Sequence, residues 1–551
     1  MRRIAALIFL LAPAAVVSAQ RPRNDIPIPR LGETMEVSIV NLDVVVTDQK
    51  GERVYGLTRD DFEVREERKV QPITNFAEYR SVHREVDPER ARVEAPDVAP
   101  ALSPSPSRPP RTIVIVIEQQ KLLPRFRDDF FAALHKLIDQ SLESGDRAMV
   151  ATWRGSSLSA RQAMTSDREA IHAVLDRVGK ELWIDPAQMI GKSDDLTSGK
   201  TGNVDCAEGD ALLCATQQLM EIRAKANAVG GLVSSMAALD GRKILLLAMR
   251  RLGAIAGADC FRGGTVPAGC QWQFETNAIR ARLIESANAS GFTLYPVYAG
   301  GHLVEGASAE GGSPPGIRGP DDISGLGAIS ISLNEAQALA QIADKTGGAM
   351  EWGPAVVNLI PRLAEDLQSY YSIAYRATGA VRDRVRKVEV TTKRKDLRVR
   401  MRSEIVEKSD VTRMKDRVTA ALSYVADAGT LGIRVITGTP VKNSRGRLAL
   451  PIKVQVPIGQ LTLVREGEEE RGAFSLFVGA GNGALLFSDI TQRMQTLAIP
   501  LRDLERARQG HFTYEVELTI DAKVDRIAVG VYDEVGRQYG LMRVDHLAGG
   551  D

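Results

Sequence analysis

The sequence predicts an α/β chain: a doubly wound, mostly parallel sheet, flanked by a small N-terminal β unit and a C-terminal β-sandwich. Three observations carry this. From residue 112 to about 375, apolar strand-like runs alternate with segments of helical spacing. Before residue 84 and after about 420, only strand-like runs recur, separated by turn residues. A proline-rich stretch divides the first β unit from the alternating region. Alternating strands and helices build a parallel sheet covered on both faces, whereas strands spaced by turns build sandwiches.

The N-terminus reads as an export signal at residues 1–19. Arg2 and Arg3 precede an apolar run from Ile4 to Val17, and Val17-Ser18-Ala19 supplies the small residues of a cleavage site, leaving Gln20 first in the mature chain. An uncleaved anchor is the alternative. No later stretch approaches 18 uncharged apolar residues, so no transmembrane segment is expected in a mature chain that is secreted or periplasmic. The 71 Lys and Arg are balanced by 70 Asp and Glu, which removes the electrostatic case for nucleic acid.

The small β unit spans 34–83. Val37, Ile39, Leu42, Val44 and Val46 mark strand-like runs, Asp48 to Gly51 a turn, and Ile73 to Tyr79 a further strand. Residues 84–111 hold seven prolines and read as an extended linker. The alternating domain spans 112–405. Ile113 to Ile117 is wholly apolar, as a strand buried on both faces should be. Phe126, Phe130, Phe131, Leu134, Leu137 and Ile138 follow at helical spacing. Strands are expected at Ala148–Trp153, Ile244–Ala248, Phe292–Val297 and Tyr370–Tyr375. Helices are expected after Thr165-Ser166-Asp167, near Ala215–Leu239, over Thr276–Ser290, from Leu333, and near Val356–Gln368. Long loops interrupt the domain at 184–213 and 300–330. Leu397, Val399 and Met401 alternate with arginines in a half-buried strand. The region 420–551 reads as an immunoglobulin-like sandwich, with strands at Leu448–Val456, Ala473–Val478, Phe512–Ile520 and Ile527–Tyr532.

The cysteines are Cys206, Cys214, Cys260 and Cys270. An even count in an exported chain favours disulfides. Three pairings are open; the local one, Cys206–Cys214 with Cys260–Cys270, is preferred because each bond closes a short loop. A four-thiolate metal site is the rival, and the spacings lack the paired cysteines that zinc sites favour.

Several fragments, in order, resemble the VWFA-related domain family described from acidobacteria. They are Val44-Val45-Val46-Thr47-Asp48, Gly56-Leu57-Thr58-Arg59-Asp60-Asp61-Phe62-Glu63-Val64, Gly145-Asp146-Arg147, Gly241-Arg242-Lys243, Ala343-Asp344-Lys345-Thr346-Gly347-Gly348, and Asp366-Leu367-Gln368-Ser369-Tyr370-Tyr371. The resemblance covers roughly residues 35–405. It implies a von Willebrand A-like domain that binds proteins or matrix. Such domains hold a metal at the C-terminal ends of their strands through Asp-x-Ser-x-Ser, a Thr and a second Asp, because Mg²⁺ takes oxygen ligands. Here the first loop reads Glu118-Gln119-Gln120-Lys121-Leu122, and Met249-Arg250-Arg251 follows the strand Ile244–Ala248. One carboxylate among cations points to a degenerate site, with no metal or cofactor. Glu118, Gln120, Lys121, Arg250 and Arg251 are then candidates for a direct contact surface at the sheet top; the alternative is that they pair with one another.

No catalytic constellation stands out. Gly191-Lys192-Ser193 and Gly199-Lys200-Thr201 lack the first glycine of a phosphate loop, where Pro186 and Asp194 stand. The six histidines share no metal-binding spacing; His135 and His172 read as helix-surface or packing residues. Ser308, in Gly306-Ala307-Ser308-Ala309-Glu310, is one residue short of a nucleophile elbow. The basic stretch 382–402 reads as a solvated outer face, or as a patch for anionic glycan or lipid headgroups. The expectation is therefore an exported, non-enzymatic binding, adhesion or scaffold protein for a protein or cell-envelope polymer. A hydrolase lidded by the two long loops and a purely structural envelope protein are the rivals.

Overall fold

The computed structural model describes residues 39–80, 110–118, 124–154, 157–181, 209–239, 241–249, 252–261, 265–297, 323–350, 356–377, 382–423, 429–442, 447–482, 490–521 and 524–545. The expected signal, nearly all of the linker, and residues 184–208 and 300–322 of the long loops lie outside them. The described remainder of those loops is helical rather than irregular.

The chain opens with β1 (Ile39–Thr47), β2 (Phe62–Glu66), β3 (Lys69–Gln71) and β4 (Ile73–Tyr79). The Asp48 side chain accepts from the backbone N–H of Lys50 and Glu52, closing the turn after β1. Thr58 and Asp61 form a reciprocal capping box before β2.

The alternating region follows as β5 (Arg111–Glu118), α1 (Pro124–Ser141), β6 (Arg147–Arg154), β7 (Ser157–Thr165), α2 (Arg168–Lys180), α3 (Gly209–Ser235), β8 (Arg242–Ala248), α4 (Gln271–Phe274), α5 (Asn277–Ala289), β9 (Phe292–Val297), α6 (Ile323–Thr346) and α7 (Val356–Gln368). Its five strands run in the order β7-β6-β5-β8-β9. All neighbours are parallel except β6 and β7. Side chains alternate across β5, so Ile113, Ile115 and Ile117 pack with Phe130, Leu134, Val174 and Leu363 on one face. Val114 and Val116 pack with Val229, Leu283 and Leu339 on the other. Helices thus cover both faces of a mostly parallel sheet, as its uninterrupted apolar strands require.

Next come β10 (Tyr370–Arg376), β11 (Val385–Thr392), β12 (Arg398–Arg400) and β13 (Glu404–Val406). These return to the amino-terminal strands in two sheets, β12-β1-β10-β4 and β13-β11-β2-β3. Leu42, Val44, Phe62, Val64, Ile373 and Val388 fill the space between. The described part of the expected 34–83 unit, residues 39–80, therefore does not close on itself. Strands over 370–406, assigned in the sequence to the alternating domain, complete the first unit. The physical reason is edge pairing: β1 and β4 are not neighbours, and β10 between them supplies the donors and acceptors both need.

The chain ends with α8 (Asp410–Ser423), β14 (Arg434–Thr437), β15 (Val441–Lys442), β16 (Leu448–Pro457), β17 (Val464–Glu466), β18 (Glu469–Gly481), β19 (Thr491–Pro500), β20 (His511–Ile520), β21 (Arg526–Asp533) and β22 (Tyr539–Asp545). Two antiparallel sheets, one around β16 and one around β18, face each other across Ile452, Val454, Phe474, Leu476 and Val529. Met414, Val418 and Leu422 of α8 cover the outer side of the β18 sheet against Phe477 and Ala528.

Candidate functional site

The carboxyl ends of β5 and β8 are where the sequence places its contact surface. Gln120, Lys121, Arg250 and Arg251 lie outside the described residues. Glu118 is described, and it is not a surface group: it is 1% exposed. Its carboxylate stands 3.0 Å from the Nζ of Lys225, which is fully buried on α3. Glu221, one turn earlier, contacts the same ammonium at 2.7 Å. Burying a carboxylate is costly unless a counter-charge accompanies it, and Lys225 is that charge. The pairing overturns the reading of Glu118 as part of an open contact surface.

The same geometry tests a divalent ion. An octahedral site needs several oxygen ligands converging on one point. Here Glu118 faces an ammonium, and among the described residues no group of three or more His, Cys, Asp or Glu converges to hold a metal ion. Lys225 escaped the sequence reading although it left a trace. It stands between Ile222, Ala226 and Val229, all buried, so a lysine interrupts the apolar stripe of its helix.

Beyond β8, residues 252–261 and 265–276 form a cap over this edge. The cap is fastened at three points. Cys214 on α3 is bonded to Cys260. Gln218, one turn further along α3, accepts from the Gly257 N–H at 3.1 Å. Asn334 on α6 holds the Ile255 peptide from both sides, accepting at 2.9 Å and donating at 2.8 Å. Gly257 has φ +74°, and a Cβ there would lie 2.3 Å from that of Ala215, so glycine is required for this close approach. The bond corrects the expected pairing: Cys214 does not join Cys206, nor Cys260 Cys270. Cys270 is itself disulfide-bonded; Cys206 lies outside the described residues.

The capped edge carries exposed apolar side chains. Trp272 on α4 is 72% exposed, with its indole N–H donating to Gly269 O at 3.1 Å. Met220 and Leu213 on α3 and Leu333 on α6 are also more than half exposed. Each sits on an element that helps hold or form the cap.

The opposite edge holds most of the fragments that carry the family resemblance, and there they work as joints. Asp146 accepts from the Arg111 backbone and guanidinium, while Arg111 Nη1 donates to Leu367 O at 2.8 Å. A Cβ on Gly241, at φ +81°, would lie 1.8 Å from Pro110 O, and one on Gly348 equally close to Leu294 O. Asp366, fully buried, accepts from Tyr295 at 2.6 Å and from Arg400 at 2.9 and 3.0 Å, and pairs with Arg53. Burial, with Arg400 adjacent, pulls Arg53 down to about 10. One carboxylate thus ties the parallel sheet to the first β unit. The basic stretch 382–402 is partly consumed in the same way: Arg386 pairs with Glu66 and Glu407.

His135 and His172, on α1 and α2, meet Nδ1 to Nδ1 at 2.6 Å, backed by Asp176 and Asp139. Their 37-residue separation gave no hint of this contact. The phosphate-loop lookalikes and Ser308 lie outside the described residues. Among those residues, no helix is long and apolar enough to cross a membrane.

No protein-family model matches the chain, and no curated protein is similar to it. Among solved structures, an aerotolerance-related membrane protein from Bacteroides fragilis is 13% identical, over 47% of this chain and 98% of that one, with a TM-score of 0.22. The pilus adhesin SpaC from Lactobacillus rhamnosus GG is 8% identical, over 89% of this chain and 57% of its own length, with a TM-score of 0.26. The human COPII-coat protein Sec24c is 11% identical, over 56% of this chain and 45% of that one, with a TM-score of 0.22.

Proposed function

We propose that this chain is an exported, non-catalytic binding protein of the von Willebrand A type. Its capped sheet edge engages a protein or cell-envelope polymer without a divalent ion. The observation that carries the reading is Trp272, 72% exposed on a short helix within the fastened cap. A monomer gains nothing by leaving an indole in water, whereas a rigid aromatic anchor contributes strongly to an interface. The disulfide holds the anchor still and fits an oxidising compartment. The Glu118–Lys225 pair supports both absences in the proposal. Glu118 faces a buried ammonium where a metal would sit, and at 1% exposure it is out of reach of a substrate.

The test compares full-length mature protein with Trp272→Ala in cross-linking and affinity capture from an envelope fraction. The expected result is a saturable partner whose capture falls at least about tenfold in the variant, with an unchanged melting midpoint. A partner retained undiminished would sink the capped-edge reading. A hydrolytic turnover abolished by one cap substitution would favour the enzyme instead.

A further inference from the structure

A cavity opens at the amino-end edge of the parallel sheet, where three parts of the molecule meet. It encloses about 470 Å³ and is walled by β1, the turn after α3, the end of α5, the 402–408 segment and α8. Five cations line it (Lys243, Arg402, Lys408, Arg413 and Arg417) against two carboxylates, Glu407 and Asp416. Their commitments differ. Lys243 donates to Ala237 O and Leu239 O, answering the negative end of α3. Lys408 pairs with Asp416 at 2.6 Å, and Glu407 with Arg386. Arg413 reaches Asp410 only at 3.5 Å.

Arg402 and Arg417 have no carboxylate within ion-pair distance among the described residues. Arg417 lies over the Tyr539 ring at 4.2 Å. Arg402 spends Nη2 on Asn41 O, yet its Nε is buried with no hydrogen-bond partner. An unmade bond to a buried guanidinium is expensive. Asp43, whose charge acts on Arg402, is engaged by Arg242 at 3.6 Å. Gly291 leaves the floor open, since a Cβ there would meet Arg402 Nη1 at 3.1 Å and Lys243 Cε at 3.4 Å.

We infer that this junction cavity binds a small polyanion carrying two or more phosphate-type oxyanions, held chiefly by Arg402 and Arg417. The planar guanidinium fork matches an oxyanion in two bonds, and two such forks on different walls suit a ligand with two anionic groups. The site is distinct from the capped edge, so either can fail without the other.

The experiment is titration of the full mature chain with pyrophosphate and with inorganic phosphate, at ionic strength matched with chloride. Saturable pyrophosphate binding is expected, weakened about tenfold or more in Arg417→Gln and in Arg402→Gln. Arg417 is half-buried at the wall, so its variant keeps the test valid should Arg402→Gln fail to fold. Absence of saturable binding, or binding unchanged in a folded variant, would overturn the site. Vesicles of phosphatidic acid separate the sources. Co-sedimentation released by pyrophosphate assigns the oxyanion to a lipid headgroup; pyrophosphate binding without co-sedimentation assigns it to a soluble ligand.

Discussion

Lys225 reaches Glu118 from within an otherwise apolar stripe, and both groups are shielded from water. Replacing Lys225 takes this counter-charge from the buried Glu118 carboxylate, whereas replacing Glu118 leaves Lys225 with Glu221. Lys225→Ala is expected to destabilise the folded chain by about 3–5 kcal/mol, as broken buried pairs do, readable in urea unfolding. Wild type should melt at the same midpoint with Mg²⁺ or with a chelator, and a shift of several degrees between the two would contradict the ammonium-for-metal reading. Glu118 was legible in the sequence as the first loop residue after an apolar strand at the right edge, and β5 extends to include it. Its partner was not identified, because the 107-residue separation of Glu118 and Lys225 is closed only by folding α3 across the sheet.

At the scale of elements, the cap shows why short cysteine spacings misled. Cys214 lies on α3, whose regular turns point it toward the exit of β8 and hence to Cys260, not to its sequence neighbour. The bond closes a 46-residue separation, and in the chain-entropy picture a loop of that length contributes about 4 kcal/mol, more than a short one. Cys214→Ser with Cys260→Ser should therefore lose about 2–4 kcal/mol. It should also expose residues 252–261 and 265–276 to limited proteolysis while the strands resist. Equal protease resistance in the double variant would show that Gln218 and Asn334 suffice. The strands over 113–117, 148–153, 244–248, 292–297 and 370–375 were readable because their periodicities are local; β7, α8, β19 and β22 went unnamed, and so did the cap, since its fasteners come from α3 and α6.

For the molecule as a whole, Asp366 joins the first β unit to the parallel sheet through Arg53, Arg400 and Tyr295. Asp366→Asn keeps the side chain's shape but removes the charge that two guanidinium groups share. A loss of about 3–5 kcal/mol is expected, with the first β unit unfolding ahead of the sheet in hydrogen exchange. A single unchanged transition would show that the joint is redundant. The family-like fragments Gly145-Asp146-Arg147, Gly241-Arg242-Lys243 and Asp366 to Tyr371 cluster at this joint. That explains why they spoke clearly about architecture and little about chemistry. The joint also has an order in time. Thr74 and Ala374, bonded to each other, are 300 residues apart. A chain made from its amino end therefore holds β1 and β4 without their shared neighbour until the entire parallel sheet has been synthesised. During that wait both strands offer open edges to any passing chain. A nascent polypeptide arrested before residue 370 should aggregate, and escorting it to that point is a task the finished fold gives to the cell.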